Sequence, residues 1–163
     1  MRYLAMLLGA GAIVGLDQLT KYLTVQNIPL GGELPVWEGV FHLTYFRNTG
    51  MAFSLLEGAR WLFLALTAAF LVIAVLAVVR KWLTHPAALA ALTMIVGGGV
   101  GNMIDRALHG SVVDMIELDF IRFAIFNVAD CFVCIGAALL VIWVLFLDRK
   151  PARPEGGSHD DSL

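Results

Sequence analysis

Two aspartates, Asp114 and Asp130, are the residues of this 163-residue chain best placed to do chemistry. They belong to one stretch, Gly97 to Asp130, in which carboxylates, arginines and asparagines interrupt otherwise apolar sequence. Two carboxylates held in one site cannot both ionise freely, so one keeps its proton where the other has lost it. That asymmetry is what an aspartic hydrolase needs. The ionised group takes a proton from water, and the protonated group hydrogen-bonds the scissile carbonyl. Asp130 also follows Asn127 at the spacing of a helix capping box, a structural role for both residues in which the helix dipole favours the carboxylate. The distance between Asp114 and Asp130 in sequence excludes pairing on one helix face, so loop folding must bring them together.

Other catalytic arrangements are missing. There is no HExxH zinc motif, the histidines are scattered singly, and no GxSxG or serine with a basic partner occurs in the stretch. No metal or organic cofactor is implied. Cys131 and Cys134 are too few for a disulfide framework. Lying inside an apolar segment, they read as small residues packed between helices rather than as a redox pair.

The elements that must position the aspartates are membrane helices. The chain is 60% hydrophobic and 15% charged, with a mean hydropathy of +0.82, well beyond a soluble domain. Its net charge of −2 argues against nucleic-acid binding. Four runs are long and apolar enough to span, at about 3–20, 61–79, 87–104 and 128–147. Arg2, Arg80-Lys81 and Asp148-Arg149-Lys150 flank them as inside signals, which puts both termini in the cytoplasm. The first run has no cleavage site of signal-peptide type and is expected to be retained. The expectation is an all-α membrane protein, a single domain over 1–150 with four transmembrane helices and a disordered cytoplasmic tail at 151–163. No internal repeat of the transporter kind is present.

Between the spans, two segments should be extracytoplasmic. Residues 25–60 carry Gly and Pro punctuation and the run FHLTYF, a pattern of short strands and turns. This makes a small β-cradle, with Trp37, Phe41, Tyr45 and Phe46 suited to the headgroup layer. Asn48-Thr49-Gly50 reads as an ordinary turn, or as a turn presenting polar groups inward. In the loop at 107–126, VVDMIELDF alternates enough to be a strand that sets Asp114 against the membrane boundary. Asp17 and Lys21 share one helix face and can pair, at an interfacial helix end or in a functional site. Asn102 and Arg106 share another, with Asp105 turned elsewhere, to an ion pair. Gly97, Gly98, Gly99 and Gly101 permit close helix packing, or make room for a substrate backbone. His85, before Pro86, reads as a solvated loop residue.

Five blocks, LDQLTK at 16–21, RNTGMAFS at 47–54, GGGVGNMIDR at 97–106, VVD at 112–114 and FNVAD at 126–130, resemble those of the lipoprotein signal peptidases (signal peptidase II), in the family's order. The resemblance covers the chain apart from its tail. It implies an aspartic intramembrane endopeptidase of the bacterial cytoplasmic membrane, with its site toward the extracytoplasmic face. Such an enzyme removes the signal peptide from diacylglyceryl-modified prolipoproteins just before the lipobox cysteine. It implies Asp114 and Asp130 as the catalytic pair, and Asp17, Lys21, Asn48, Gly98, Asn102, Arg106 and Asn127 as substrate-binding residues around it. Asn48, Asn102 and Arg106 would hold substrate backbone or the inhibitor globomycin, and membrane lipids are the remaining partners. Met115 stands where the family usually has Phe, and the 107–126 loop is short. Two other readings are a small transporter, which would place carboxylates at mid-span, and a non-catalytic scaffold that binds lipidated peptides.

Overall fold

A computed structural model describes residues 1–50 and 59–147. Four long helices carry the chain through the membrane: α1 (Arg2–Asn27), α2 (Arg60–Val79), α3 (Pro86–His109) and α4 (Val128–Ile142), which continues as one π-helical turn, Trp143–Leu147. All four are long and apolar enough to cross a bilayer. Their outer faces are apolar and open, with Leu7, Leu66, Val75 and Leu139 exposed. That is the surface lipid requires, since only a helix satisfies its own backbone there. Met51 and the rest of RNTGMAFS beyond Gly50, the basic run at 148–150 and the tail at 151–163 lie outside the described residues.

Helix α3 packs against the other three. Its glycines make this possible. A Cβ on Gly97 would meet Ile13 of α1 at 2.9 Å, and one on Gly98 would strike the Ala129 carbonyl and Val133 of α4. Gly136 answers from α4, where a Cβ would lie 2.7 Å from the Ala91 carbonyl oxygen. Small residues let helix backbones approach in lipid, where no hydrophobic effect drives association. The expected room for a substrate backbone at Gly98 is therefore taken up by α4, and the glycine-rich face is filled by the protein's own helices.

The helix ends follow local chemistry. His85 is exposed as expected and also caps α3, its ring accepting from the Ala87 N–H at 3.2 Å, with Pro86 in the first turn. Gly110 ends α3 with φ 76°, a left-handed conformation that suits glycine. Both α1 and α3 run on past their expected ends, to Asn27 and His109. The polar residues that suggested exits, Asp17 and Lys21 on α1 and Asp105 on α3, are buried between helices instead.

At the end of the bundle where α1 and α3 finish lies an antiparallel sheet of order β1-β2-β3, formed by β1 (Glu33–Trp37), β2 (Phe41–Asn48) and β3 (Val112–Leu118). The cradle expected from 25–60 thus supplies two strands, and VVDMIELDF supplies the third. Trp37 and Phe46 face outward, whereas Tyr45, expected at the headgroups, is buried and its hydroxyl accepts from Arg47 at 2.7 Å. Beyond β3, residues 119–126 return along the sheet. They are held by the Ile116–Phe126 bridge and by His42, whose Nδ1 lies 2.6 Å from an Asp119 oxygen.

Candidate active site

Strand β3 brings Asp114 to the mouth of the bundle and the first turn of α4 brings Asp130. Asn48 on β2 pairs in register with Val112. A diagonal neighbour two residues along is within reach of a long polar side chain, and the Asn48 amide donates to Asp114 Oδ2 at 2.9 Å. The Asn48 carbonyl oxygen accepts from the Gly50 N–H at 2.9 Å, so the turn is both an ordinary Asn-type turn and an inward-facing one. Alternation along β3 turns Met115 away from Asp114. Its sulfur accepts from Thr24 of α1 at 3.4 Å, so the departure from Phe at this position falls on packing with α1.

The capping box at α4 is real and also part of the site. The Asn127 side chain accepts from the Asp130 N–H at 3.0 Å, and the Asn127 N–H donates to Asp130 Oδ2 at 3.2 Å. With its oxygen committed to the cap, the Asn127 amide nitrogen must face the other way. It donates to Asp114 Oδ1 at 2.6 Å and to Asn102 Oδ1 at 3.1 Å. One asparagine therefore ties the two aspartates together. Asn102 supplies the second tie, donating to Asp130 Oδ1 at 2.7 Å.

What fixes Asn102 lies behind the site. Lys21 Nζ donates to Asn102 Oδ1 at 2.9 Å, so the amide oxygen must point at the cation and the NH2 at Asp130. Lys21 also pairs with Asp17 at 2.8 Å and Asp105 at 3.0 Å. Asp17 in turn accepts the Ala129 N–H at 3.0 Å, anchoring the start of α4, and Asp105 accepts the Val113 N–H at 3.2 Å, anchoring β3. Gln18 spans both carboxylates, donating to Asp105 at 2.9 Å and Asp17 at 3.2 Å. Asp17 is 0% exposed and Lys21 3%, so neither can touch a substrate, contrary to the binding role expected for them. Asp105 makes the ion pair expected of it. Gln18 was not anticipated; its place one residue after Asp17 gave no sign that it would bridge to another helix.

Asp114, Asp130, Asn48, Asn102, Arg106 and Asn127 line one open cavity of about 560 Å³. Its other wall is apolar, from Phe123 to Phe126 and Ile135. Arg106 stacks its guanidinium over Phe63, 4.9 Å from the ring centre, and donates to the Gly50 carbonyl at 3.1 Å. Cys131 and Cys134 also face this cavity. They were expected to pack between helices, but α4 presents that side to the opening and uses Gly136 and Ala129 for packing instead. Burial raises the pKa of Asp114 to about 6, and the Asp130 charge adds to the rise, against hydrogen bonds from Asn48 and Asn127 and the Lys21 charge. No group of three or more metal-ligating side chains occurs among the described residues.

A strand aspartate and a helix-cap aspartate, tied through shared asparagines at one end of a four-helix membrane bundle, define a polytopic membrane protein with a linked aspartate pair at the mouth of a cavity. Residues 10–146 match the family described as Signal peptidase (SPase) II, and the chain belongs to that family. It is 46% identical to the lipoprotein signal peptidase of Brevibacillus brevis over 88% of this chain and 96% of that one. It is 40% identical to that of Streptococcus thermophilus over 98% and 99%. Two solved bacterial membrane enzymes share the fold, with TM-scores of 0.84 and 0.80 at 29% and 31% identity. The first alignment covers 91% of this chain and 94% of its counterpart, the second 89% and 94%. The transporter reading falls with these matches.

Proposed function

We propose that this chain cleaves signal peptides from bacterial prolipoproteins, with Asp114 and Asp130 as the catalytic pair. The observation that carries this reading is the convergence of the two carboxylates, through Asn127 and Asn102, on one half-open cavity. Asp130 sits in the capping box at the N-terminus of α4, where the helix dipole favours the charged form, and is half-buried where Asp114 is buried, so it is the group that takes the proton of an attacking water. Asp114, with a pKa of about 6, holds the shared proton and donates it to the scissile carbonyl oxygen. Water adds to the carbonyl carbon to give a gem-diol; the proton gained by Asp130 passes to the leaving amine as the C–N bond breaks, and a diol hydroxyl returns its proton to Asp114 as the carbonyl re-forms.

The remaining roles follow from placement. Arg106 has N–H groups beyond those given to Gly50 and Asn102, and with Asn48 it would hold substrate backbone or a globomycin-type inhibitor. Asn102 and Asn127 orient the pair, while Lys21 and Asp17 position Asn102 and α4 without touching substrate. The apolar wall of Phe123, Ile125, Phe126 and Ile135 suits the acyl chains of a diacylglyceryl cysteine, presented from the surrounding lipid at the extracytoplasmic boundary of the inner membrane.

The test is cleavage of a diacylglyceryl-modified prolipoprotein by detergent-purified protein with EDTA present, read by gel shift. Wild type should cleave, and Asp114→Asn and Asp130→Asn should bind without cleaving. Near-normal cleavage by either variant would sink the assignment of the pair. Binding without cleavage by wild type would favour a scaffold.

A further inference from the structure

Helical spacing puts Cys131 and Cys134 three residues apart on one face of α4, and Cys134 four residues after Asp130. Both thiols are free; Cys134 is exposed and Cys131 half-buried. Both line the same cavity as Asp114, Asn102 and Asp130, opposite the apolar wall of Phe123 and Ile125. The catalytic scheme uses neither. Solvent-reachable thiols are nucleophiles once deprotonated, whereas buried packing cysteines are inert.

We propose that Cys131 and Cys134 make the wall of the catalytic cavity a covalent modification site for uncharged sulfur electrophiles, and that a group bonded there shuts the peptidase. The inference rests on the assignment of Asp114 and Asp130 to that cavity. In the bonding step the thiol proton leaves to water and the cysteine sulfur attacks the sulfenyl sulfur of a thiosulfonate. A protein–S–S–R bond forms, the thiosulfonate S–S bond breaks, and the sulfinate departs with the electron pair. An excess of a dithiol reverses the exchange. The apolar wall selects uncharged reagents. A substituent on Cys131 stands beside Asp130, where the scissile peptide must lie, so the loss is one of access rather than of fold.

The experiment treats the full chain in detergent with benzyl methanethiosulfonate and reads adducts by intact mass and rate by prolipoprotein cleavage. Wild type should take up benzylthio groups on Cys131 and Cys134 and lose roughly 10²-fold in rate, the size expected when reacting groups are kept from their geometry. Dithiothreitol should restore it. A trimethylammonium-bearing thiosulfonate should react more slowly. The Cys131→Ala/Cys134→Ala double variant should take up no adduct and, against its own untreated rate, lose nothing. Should that variant fail to fold, the wild-type cysteines still decide the matter, because saturating lipopeptide substrate on Asp114→Asn should slow adduct formation. No adduct on folded wild type, an adduct without rate loss, or an adduct rate indifferent to bound lipopeptide would each overturn the proposal. Cleavage by the aspartate variants would instead overturn the catalytic assignment and leave the thiol result standing.

Discussion

Lys21→Met is the substitution that probes the site from behind. Lys21 is almost fully buried and faces Asp17, Asp105 and the Asn102 carbonyl oxygen. Removing it leaves two buried carboxylates without their cation, and breaking a buried pair in this way costs about 3–5 kcal/mol. A second effect is separate. Without the cation, the Asn127 amide alone among the described residues holds the Asn102 oxygen inward, and a flipped Asn102 turns its own oxygen toward Asp130. Misplacement of that kind costs roughly 10²-fold in rate. Reversible unfolding in mixed micelles would read the first effect and prolipoprotein cleavage the second. Adding Asp17→Asn to Lys21→Met should recover much of the stability, because the new amide oxygen still accepts from the Ala129 N–H and one unpaired charge is gone. It should recover none of the activity. A Lys21→Met protein that unfolds and cleaves like wild type would refute the account of both the network and the asparagine lock. Parallel recovery of stability and activity in the double variant would refute the lock alone.

Other outcomes follow from the packing and from Asp114. Gly98→Ala forces a methyl group onto the Ala129 carbonyl and Val133, so α4 must move from α3; a loss of about 1–3 kcal/mol and of cleavage is expected. Among the described residues Gly99→Ala meets only a Thr67 methyl at 3.8 Å, and it should behave as wild type in both assays. Folding raises the Asp114 pKa from 3.8 to about 6, so the folded protein binds this proton more tightly than the unfolded chain does. Its contribution to stability therefore falls as pH rises from 3.8 to about 6 and is flat above, a change on the order of 3 kcal/mol. Asp114→Asn should remove that slope from the pH dependence of unfolding. On the proposed mechanism the same proton sets the alkaline limb of the rate profile. Since the Asn48 hydrogen bond lowers the Asp114 pKa, Asn48→Ala should move that limb to higher pH; a shift to lower pH, or none, would contradict the assigned bond.

Much of this protein was legible in the order of its residues. Four apolar runs of spanning length, a strand-like FHLTYF and an alternating VVDMIEL are local patterns, and local physics decides them: helices must satisfy their backbone in lipid, and alternation needs one face buried. The Asn127–Asp130 cap was equally local. What could not be read was which polar residues meet. Asp17 and Lys21 suited a helix end as well as a functional site, because a carboxylate and a lysine near an apolar run are cheapest at the interface. Only the docking of α3 and α4 on that face of α1 makes them a buried anchor. Gly98 was left open between packing and substrate room, and the two cysteines were misjudged, for the same reason: a small residue gives no sign of whether a neighbouring helix or open space lies over it. Sequence alone determined the elements and the membrane setting, and it singled out the two aspartates. The tertiary structure decided the joining of that pair through Asn102 and Asn127, because hydrogen bonds between residues distant in sequence exist only once the helices and sheet have packed.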